Sequence, residues 1–318
     1  MCGIIGYAGG EEAGPILLDG LARLEYRGYD SAGIAVADGE LIDVRKAAGK
    51  LAVLRSMYSE APATGACGIG HTRWATHGRV NDTNAHPHMD CAGGIVVIHN
   101  GIVENFAALR DQLRARGHQF TSDTDTEVIP HLIEEQMREG ADLLTALRLA
   151  SAAIDGAHAI LAMAAAEPGV IVATRIGNAG AVVIGHGDDA MLVASDLAAL
   201  LPHTRDVSFL YHRELARLTR DGVTFADAAG SPLAKERVTV PFDEFAARKG
   251  QYKHFMQKEM YEQPEALTNT IRPKITLDPP AVHLPDVGIS EEQARRLKRI
   301  VLIGMGTSMH ALMISRSY

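Results

Sequence analysis

Short apolar segments occur in two groups along the sequence, and helical patterns lie between the two groups. Strand-like segments occur up to residues 94–100 and again from 158 to 219, while amphipathic helix patterns cover 105–116, 125–138 and 142–154. Another helical pattern, over 13–24, follows the first strand. Because strands and helices do not alternate regularly, the sequence predicts an α+β layered sandwich instead of a doubly wound parallel sheet.

Composition narrows the function classes. The 318 residues are enough for about two domains, and a net charge of −8 argues against a nucleic-acid partner or an anionic membrane surface. Three cysteines do not make a disulfide framework and fit a reducing compartment. No apolar run is long enough for a signal peptide or a membrane span, so we expect a cytoplasmic protein with no membrane association.

Cys2 is a candidate nucleophile because of its position. A small second residue permits removal of Met1, which would leave Cys2 with a free α-amino group. That amine has an ordinary pKa of about 7.7–8.0, close to about 8.5 for the thiol, so one residue could carry nucleophile and base. On position alone, a buried strand cysteine is the better interpretation. If Met1 is retained, the chain would be a non-catalytic fragment.

Seven segments change this balance: MCGIIGY (1–7), LEYRGYDSAG (24–33), GHTRWATHG (70–78), NAHPH (84–88), HNGIVEN (99–105), SDTDTEVI (122–129) and MQKEMYEQP (256–264). With them the chain resembles the class II glutamine amidotransferases and, within these, the glucosamine-6-phosphate synthases. The resemblance implies a four-layer αββα sandwich of the N-terminal nucleophile hydrolase type over 1–240. It also implies hydrolysis of L-glutamine to glutamate and ammonia by Cys2, with no cofactor.

The resemblance assigns the main catalytic and binding roles. Arg73 would hold the α-carboxylate of glutamine in a bidentate fork, and Asp125 would bind the α-ammonium group, with Asp123 the better cap for the following helix. The Asn100 side chain and the Gly101 backbone N–H would form the oxyanion hole. An Asn-Gly pair is also typical of a hairpin turn, which is the alternative for these two residues.

The same resemblance gives less specific roles to the surrounding loops. Trp74 would lie in a loop that closes over bound glutamine. Thr76, His77 and His86 would contact substrate or support this loop. Arg27 and Gly28 would support Cys2, and the alternative is that they only shape the turn.

Beyond residue 240 the resemblance implies a linker with a helix over 241–288 and the truncated start of a sugar-isomerase domain over 289–318. A strand from residue 300 should lead into Gly306, Thr307 and Ser308, which are predicted to bind phosphate at a helix N-terminus. A nicotinamide site at Gly304–Met305–Gly306 is disfavoured, because the third glycine and the downstream acid are missing. This chain alone would act only as a glutaminase.

In the full-length enzyme, ammonia would pass to fructose-6-phosphate, and a homodimer is expected when the isomerase domain is complete. Met305 replaces a usual cysteine, so another sugar phosphate stays open as the acceptor.

A metalloenzyme is the competing interpretation. Potential ligands crowd within thirty residues of sequence; they are His71, His77, His86, His88, Cys91 and His99. No HExxH motif or paired CxxC motif accompanies them, so we expect no metal.

Overall fold

The computed structural model describes residues 2–240, 252, 255–283, 288–304 and 306–316. Two compact units are present, Met1–Arg248 and Lys249–Tyr318, and each is described by itself. The division falls inside the predicted linker. Residues 241–250 of that linker, Met1 and Met305 lie outside the described residues.

The first unit is built from antiparallel strands and five α-helices within its described residues. The strands are β1 (Gly3–Gly9), β2 (Ser31–Asp38), β3 (Leu41–Ala48), β4 (Cys67–Arg73), β5 (His88–Met89), β6 (Ile95–Gly101), β7 (His158–Ala164), β8 (Ile171–Ile176), β9 (Val183–His186), β10 (Ala190–Ala194), β11 (Asp206–Phe209), β12 (Glu214–Thr219), β13 (Gly222–Ala226) and β14 (Val238–Thr239). The helices are α1 (Ala13–Leu24), α2 (Leu51–Glu60), α3 (Phe106–Ala115), α4 (Val128–Arg138) and α5 (Leu143–Ala153).

The strands form two sheets. The eight-stranded sheet has the order β14-β11-β9-β10-β1-β4-β2-β3, and the six-stranded sheet has the order β13-β12-β8-β7-β6-β5. The N-terminal strand β1 is therefore central, between β10 and β4, with Ile5 opposite Ala194 on one side and Gly70 on the other. The first residue before β1 is Cys2, so this pairing sets the position of its thiol.

Alternation along buried strands separates the layers. In β1, Ile5 and Tyr7 belong to the core under α1, whereas Ile4 and Ala8 belong to the core between the two sheets. Successive strand side chains point to opposite faces, so one strand serves two cores. Helix α1 can approach closely because Gly20 faces Ile5, and a Cβ at Gly20 would lie 2.0 Å from the Ile5 Cδ1 atom.

The six-stranded sheet is covered on its outer face by α3, α4 and α5. Val97 and Ile160 of the sheet share a core with Leu113, Ile133 and Leu147 of the three helices. The order of layers is thus helices, sheet, sheet, helices. The predicted α+β, four-layer αββα fold is confirmed.

The second unit contains α6 (Phe255–Ile271), the hairpin β15 (Ile275–Leu277) and β16 (Pro280–Val282), α7 (Glu291–Arg296) and α8 (Thr307–Ser315). The strand predicted from residue 300 was wrong. Residues 300–303 are exposed and have no regular structure, because no strand of the described residues lies alongside to pair with them. Among the helices that the structure describes, none is long and apolar enough to cross a membrane.

Candidate active site

Three predicted site segments meet at Cys2. The Cys2 Sγ atom accepts a hydrogen bond from the Trp74 backbone N–H at 3.2 Å. The Cys2 carbonyl accepts from the Asn100 Nδ2 at 3.0 Å and from the Arg27 Nε at 3.3 Å. Next to it, the Gly3 N–H donates to the Thr72 hydroxyl at 3.2 Å. The start of β1 is thereby fixed against the ends of β4 and β6.

The environment of the thiol favours its neutral form. Burial raises the pKa of Cys2, while the Trp74 N–H and the positive charges of Arg73 and Arg27 act in the opposite direction. Burial dominates, because removing a thiolate from water costs more than these partners return. A reaction through this sulfur therefore requires a base close to it.

Asn100 lies next to the last residue of β6, and both the oxygen and the nitrogen of its side-chain amide are hydrogen-bonded. The His71 Nε2 lies 3.1 Å from the Asn100 Oδ1 and 3.1 Å from the His99 carbonyl oxygen. Both partners are acceptors, so the neutral His71 ring carries its proton on Nε2. This bond turns the Asn100 Nδ2 towards Cys2. Sequence reasoning placed His71 only in the metal set, and no local motif marks its role.

The backbone conformation and the close packing at position 101 require glycine. Its φ is +140°, and a Cβ would lie 2.2 Å from the Ala157 carbonyl oxygen. Asn100 and Gly101 pair with Ala159 and His158 of β7, so they end a strand and do not form a hairpin turn. The hairpin alternative is therefore wrong for this pair.

Arg73 and Asp125 are both buried and lie near enough to each other for their charges to interact. The Arg73 guanidinium donates to the carbonyl groups of His77 and Arg79, and so holds the loop after β4. Burial lowers the pKa of Arg73, and the Cys2 sulfur, when it is ionised, and the Asp125 carboxylate oppose this shift. The Asp125 Oδ2 accepts from the Val103 N–H at 2.7 Å. The Arg73 cation acts on the Cys2 thiol and on Asp125, so it lies in electrostatic reach of both the sulfur and the carboxylate. Binding of a zwitterionic amino acid by Arg73 and Asp125 stays a prediction.

The cap predicted for α4 was wrong. Asp123 instead bonds to Asn84, through its N–H at 2.9 Å and its carboxylate at 3.4 Å. The N-cap is Glu127, which makes no side-chain cap bond. Its carboxylate accepts from Thr121 and Ser122, upstream of the helix. The pair Asp123–Asn84 therefore joins two loops near the site.

The loop after Arg73 presents an exposed aromatic residue. Trp74 is 46% exposed and meets the Tyr29 ring edge-on, with centroids 5.6 Å apart. Thr76 is exposed, and the His77 ring lies 5.8 Å from Phe106. These positions leave substrate contact by Trp74, Thr76 and His77 as a prediction.

The turn at Arg27 and Gly28 packs directly against this loop. A Cβ at Gly28 would lie 2.8 Å from the Arg73 carbonyl carbon, so the close approach requires glycine. Arg27 pairs with Asp196 at 3.0 Å and also bonds the Cys2 carbonyl. Asp30 accepts from the Ala75 N–H at 2.9 Å. Asp30 and Asp196 were missed from the sequence, since their partners are distant in the chain.

His86 lies behind the site, in a stack of buried histidines. Its ring centroid is 4.1 Å from that of His71 and 4.7 Å from that of His88. Its Nδ1 accepts from the His99 N–H at 3.4 Å. Burial lowers the pKa of His86 well below its ordinary value. Direct substrate contact by His86 stays a prediction.

The set of ligands considered in the competing metalloenzyme interpretation does not assemble. In the part of the chain that the structure describes, one group of side chains could hold a metal ion, and it contains Cys91 but none of the five histidines considered with it. In the second unit, Gly306 has φ +60° and precedes α8, so Thr307 and Ser308 occupy its exposed first turn. Phosphate binding there stays a prediction.

Comparison with known proteins adds independent findings. Residues 55–228 match a family model described as glutamine amidotransferase domain. The chain is 46% identical over 316 residues to a glutamine–fructose-6-phosphate aminotransferase [isomerizing] from Symbiobacterium thermophilum, with 99% of the chain and 51% of the relative covered. A Thermus thermophilus protein of the same name is 48% identical over 311 residues, covering 98% of the chain and 50% of the relative. The chain thus spans about half the length of these relatives.

A solved structure, glutamine phosphoribosylpyrophosphate (PRPP) amidotransferase from B. subtilis complexed with ADP and GMP, superposes with a TM-score of 0.62 at 28% identity. The superposition covers 71% of this chain and 49% of the chain in the solved structure. A second structure, titled as the allosteric regulatory enzyme of purine biosynthesis, also gives a TM-score of 0.62, at 29% identity.

Proposed function

Because the chain belongs to the glutamine amidotransferase family, we propose that it hydrolyses L-glutamine to glutamate and ammonia with Cys2 as the nucleophile. The observation that carries the proposal is the convergence of the Asn100 amide and the Trp74 N–H on Cys2. Cys2 is half-buried, with the Trp74 N–H on its sulfur and the Asn100 amide on its carbonyl oxygen, and a nucleophile with hydrogen-bond donors beside it is suited to acyl transfer.

The first half-reaction forms a thioester. With Met1 removed, the α-amine of Cys2 takes the thiol proton, and the thiolate attacks the side-chain amide carbon of glutamine. Donors from Asn100 and Gly101 stabilise the oxyanion of the tetrahedral intermediate. The C–N bond then breaks, and the proton held by the α-amine passes to the leaving nitrogen, which departs as ammonia.

Water completes the cycle. The α-amine of Cys2 accepts a proton from water, and the hydroxide adds to the thioester carbonyl. Collapse of the second intermediate breaks the C–S bond, releases glutamate and returns the proton to sulfur. The raised pKa of the Cys2 thiol supports this dependence on a neighbouring base, since no stable thiolate is available beforehand.

Substrate binding follows from the charges around Cys2. Arg73 is proposed to bind the α-carboxylate of glutamine, and Asp125 its α-ammonium group. Because Arg73 also holds the carbonyls of His77 and Arg79, substrate binding would be linked to the position of the loop that carries Trp74. His71 is a positioning residue that orients the Asn100 amide.

The complete protein is proposed to deliver the ammonia to fructose-6-phosphate, as the names of its half-matched relatives suggest. Another sugar phosphate is the alternative acceptor. Gly306, Thr307 and Ser308 are proposed to contact the phosphate group. A cytoplasmic location, supported by the three free cysteines, and the lack of a nucleic-acid partner, supported by the net charge of −8, are further parts of the proposal. A homodimer of the complete protein is proposed from the family resemblance.

Glutaminase assays on Cys2→Ala test the catalytic proposal. Mass spectrometry first establishes that Met1 is absent from the purified chain. The substitution is expected to lower turnover by roughly 10⁴-fold or more, as loss of a nucleophile does elsewhere. Cys67→Ala is the matched control, since Cys67 is buried in β4 against Met163. Substantial turnover by Cys2→Ala refutes the assignment.

A second experiment isolates the α-amine. A cleavable N-terminal tag ending directly before Cys2 keeps the thiol but replaces the amine with a peptide bond. We expect the tagged chain to be inactive and to gain activity when the tag is cut. Equal activity before and after cleavage would exclude the amine as the base.

A further inference from the structure

Four side chains that could ligate a metal ion lie together, and Cys2 is not among them. Cys91 lies in the turn between β5 and β6, His118 follows α3, and His131 and Glu134 lie one turn apart on α4. Their ligand atoms all lie within 4.8 Å of one another. His118, His131 and Glu134 are buried, whereas Cys91 is exposed and leaves a path from solvent.

The distances between these atoms fit a tetrahedron. The two Nδ1 atoms of His118 and His131 are 3.3 Å apart, and each lies 3.7 Å from the Cys91 Sγ. The Glu134 Oε2 is 3.1 Å from the first nitrogen and 3.5 Å from the second. Tetrahedral zinc, with Zn–N near 2.0–2.1 Å and Zn–S near 2.3 Å, places two nitrogens about 3.4 Å apart and nitrogen and sulfur about 3.6 Å apart.

A network of hydrogen bonds alone accounts poorly for this arrangement. The two ring nitrogens face each other at 3.3 Å and share one carboxylate oxygen. If one nitrogen donates its proton to the other, the accepting nitrogen meets the Glu134 oxygen as a second acceptor, and if both carry protons, the protons crowd. In addition, the His131 Nε2 is buried without a hydrogen-bond partner, so no hydrogen bond on that side of the ring stabilises its position. A cation between the four atoms would accept one lone pair from each of them.

We propose that Cys91, His118, His131 and Glu134 bind one Zn²⁺ ion in a closed structural site. A thiolate and a carboxylate balance the charge of the ion, and imidazole and thiolate are ligands that zinc favours. Four protein ligands leave no open position, which is typical of a structural site and not of a catalytic one.

Outer contacts hold the ligands in place. The second oxygen of Glu134 accepts from Arg138, and the His118 Nε2 lies 3.4 Å from the Glu135 carboxylate. The Cys91 Sγ accepts from the Gln119 N–H at 3.4 Å. Such second partners orient metal ligands and fix the histidine tautomer.

The ion would join three segments that the chain brings together only by folding. It connects the β5–β6 turn to the end of α3 and to the first turns of α4, within the helical layer over the six-stranded sheet. Asp125 lies in the loop that leads into α4, so the zinc would stiffen the support of a proposed substrate-binding residue. The site itself does not depend on glutamine hydrolysis.

Metal analysis of the full chain tests the proposal. The protein is stripped with a chelator, loaded with Zn²⁺, freed of excess metal and measured by inductively coupled plasma mass spectrometry. We expect one zinc per chain in the wild type and in Cys2→Ala, a control that removes chelation by the N-terminal cysteine. Cys91→Ser and His118→Ala should each lower zinc affinity by more than about 100-fold, beyond the cost of losing an outer partner. His203→Ala, an exposed histidine elsewhere, should retain the ion.

Cobalt gives a second readout that identifies the ligands. Co²⁺ bound to the wild type should show a thiolate charge-transfer band and the strong visible absorption of tetrahedral cobalt, and the charge-transfer band should vanish in Cys91→Ser. Zinc should also raise the melting temperature of the wild type but not of Cys91→Ser. Cys91 is exposed, so this variant decides the question even if His118→Ala fails to fold.

Three results would overturn the proposal: a folded wild type that retains no zinc, equal zinc affinity in wild type and Cys91→Ser, or loss of the ion in Cys2→Ala. The last result would assign the metal to the N-terminus. Glutaminase activity enters none of these measurements, so failure of the zinc site and failure of the proposed activity remain distinguishable.

Discussion

Four buried histidines behind Cys2 should make the folded state sensitive to mild acid. They are His71, His86, His88 and His99, and each is less than a tenth exposed. Burial lowers the pKa of His71 to about 3 and the pKa of the other three well below the ordinary value. The positive charge of Arg73 adds to the effect for three of the four histidines, and that of Lys46 adds to it for His88. Folding therefore keeps four imidazoles neutral that the unfolded chain protonates near pH 6.5.

The sign and size follow from proton linkage. Because the folded pKa values are depressed, the stability is complete above about pH 6.5 and is lost as the pH falls towards the folded values. Each histidine should remove roughly 1.4 kcal/mol of unfolding free energy between about pH 7.5 and pH 5.5, or roughly 5.5 kcal/mol for the four. That loss is comparable with the whole stability of many domains, about 5–15 kcal/mol.

Urea unfolding at a series of pH values measures this loss. Circular dichroism and the fluorescence of Trp74, the only tryptophan of the chain, report the transition. The slope of unfolding free energy against pH gives the protons taken up on unfolding, and these four histidines should contribute nearly four of them near pH 5.5. Four further histidines, whose pKa values burial also lowers, add to the total; they are His131, His158, His186 and His203. His88→Gln, which keeps a polar group facing Thr124, should lower the uptake by about one proton. A free energy that stays constant between these pH values would refute the reasoning.

Three further predictions concern packing and substrate binding. Gly28→Ala should destabilise the fold by roughly 1–3 kcal/mol and lower turnover, because the new Cβ meets the Arg73 backbone; Gly94→Ala, with open space around it, is the control, and equal urea midpoints would contradict the prediction. Arg73→Lys should raise the KM for glutamine more than it lowers kcat, since the planar fork is lost while the charge remains; an unchanged KM would remove Arg73 from substrate binding. Leu161→Ala, in the core between the sheets, should cost roughly 2–5 kcal/mol of unfolding free energy with KM unchanged, and a near-zero loss would show that this core is not tightly packed.

The sequence predicted regular elements where one face is consistently apolar. Helix α1 was predicted over 13–24 and observed over the same residues, because Leu17, Leu21 and Leu24 repeat at helical spacing and are fully buried. Helix α2 was missed. Its outer face carries Val53 and Met57, 46% and 41% exposed, and these residues obscure the apolar stripe.

Tertiary assembly explains the remaining failures. The resemblance predicted that Asn100 lies near Cys2. The hydrogen bond from His71 that orients the Asn100 amide joins residues 29 apart, and no local sequence pattern marks it. The competing metalloenzyme interpretation grouped residues 71–99 by nearness in sequence, whereas the cluster that forms takes Cys91 together with residues up to 134. The predicted strand at 300 had the right composition but no neighbour, and backbone pairing decides whether such a segment becomes a strand.

The central place of β1 has a consequence for synthesis. Although it leaves the ribosome first, β1 gains its neighbours only when β4 and then β10, ending at Ala194, have followed. Until then Cys2 is an accessible thiol on an unpaired segment, where Met1 could be removed and where the proposed site cannot yet form. The proposed activity would thus be withheld from nascent chains by the order in which the strands pair.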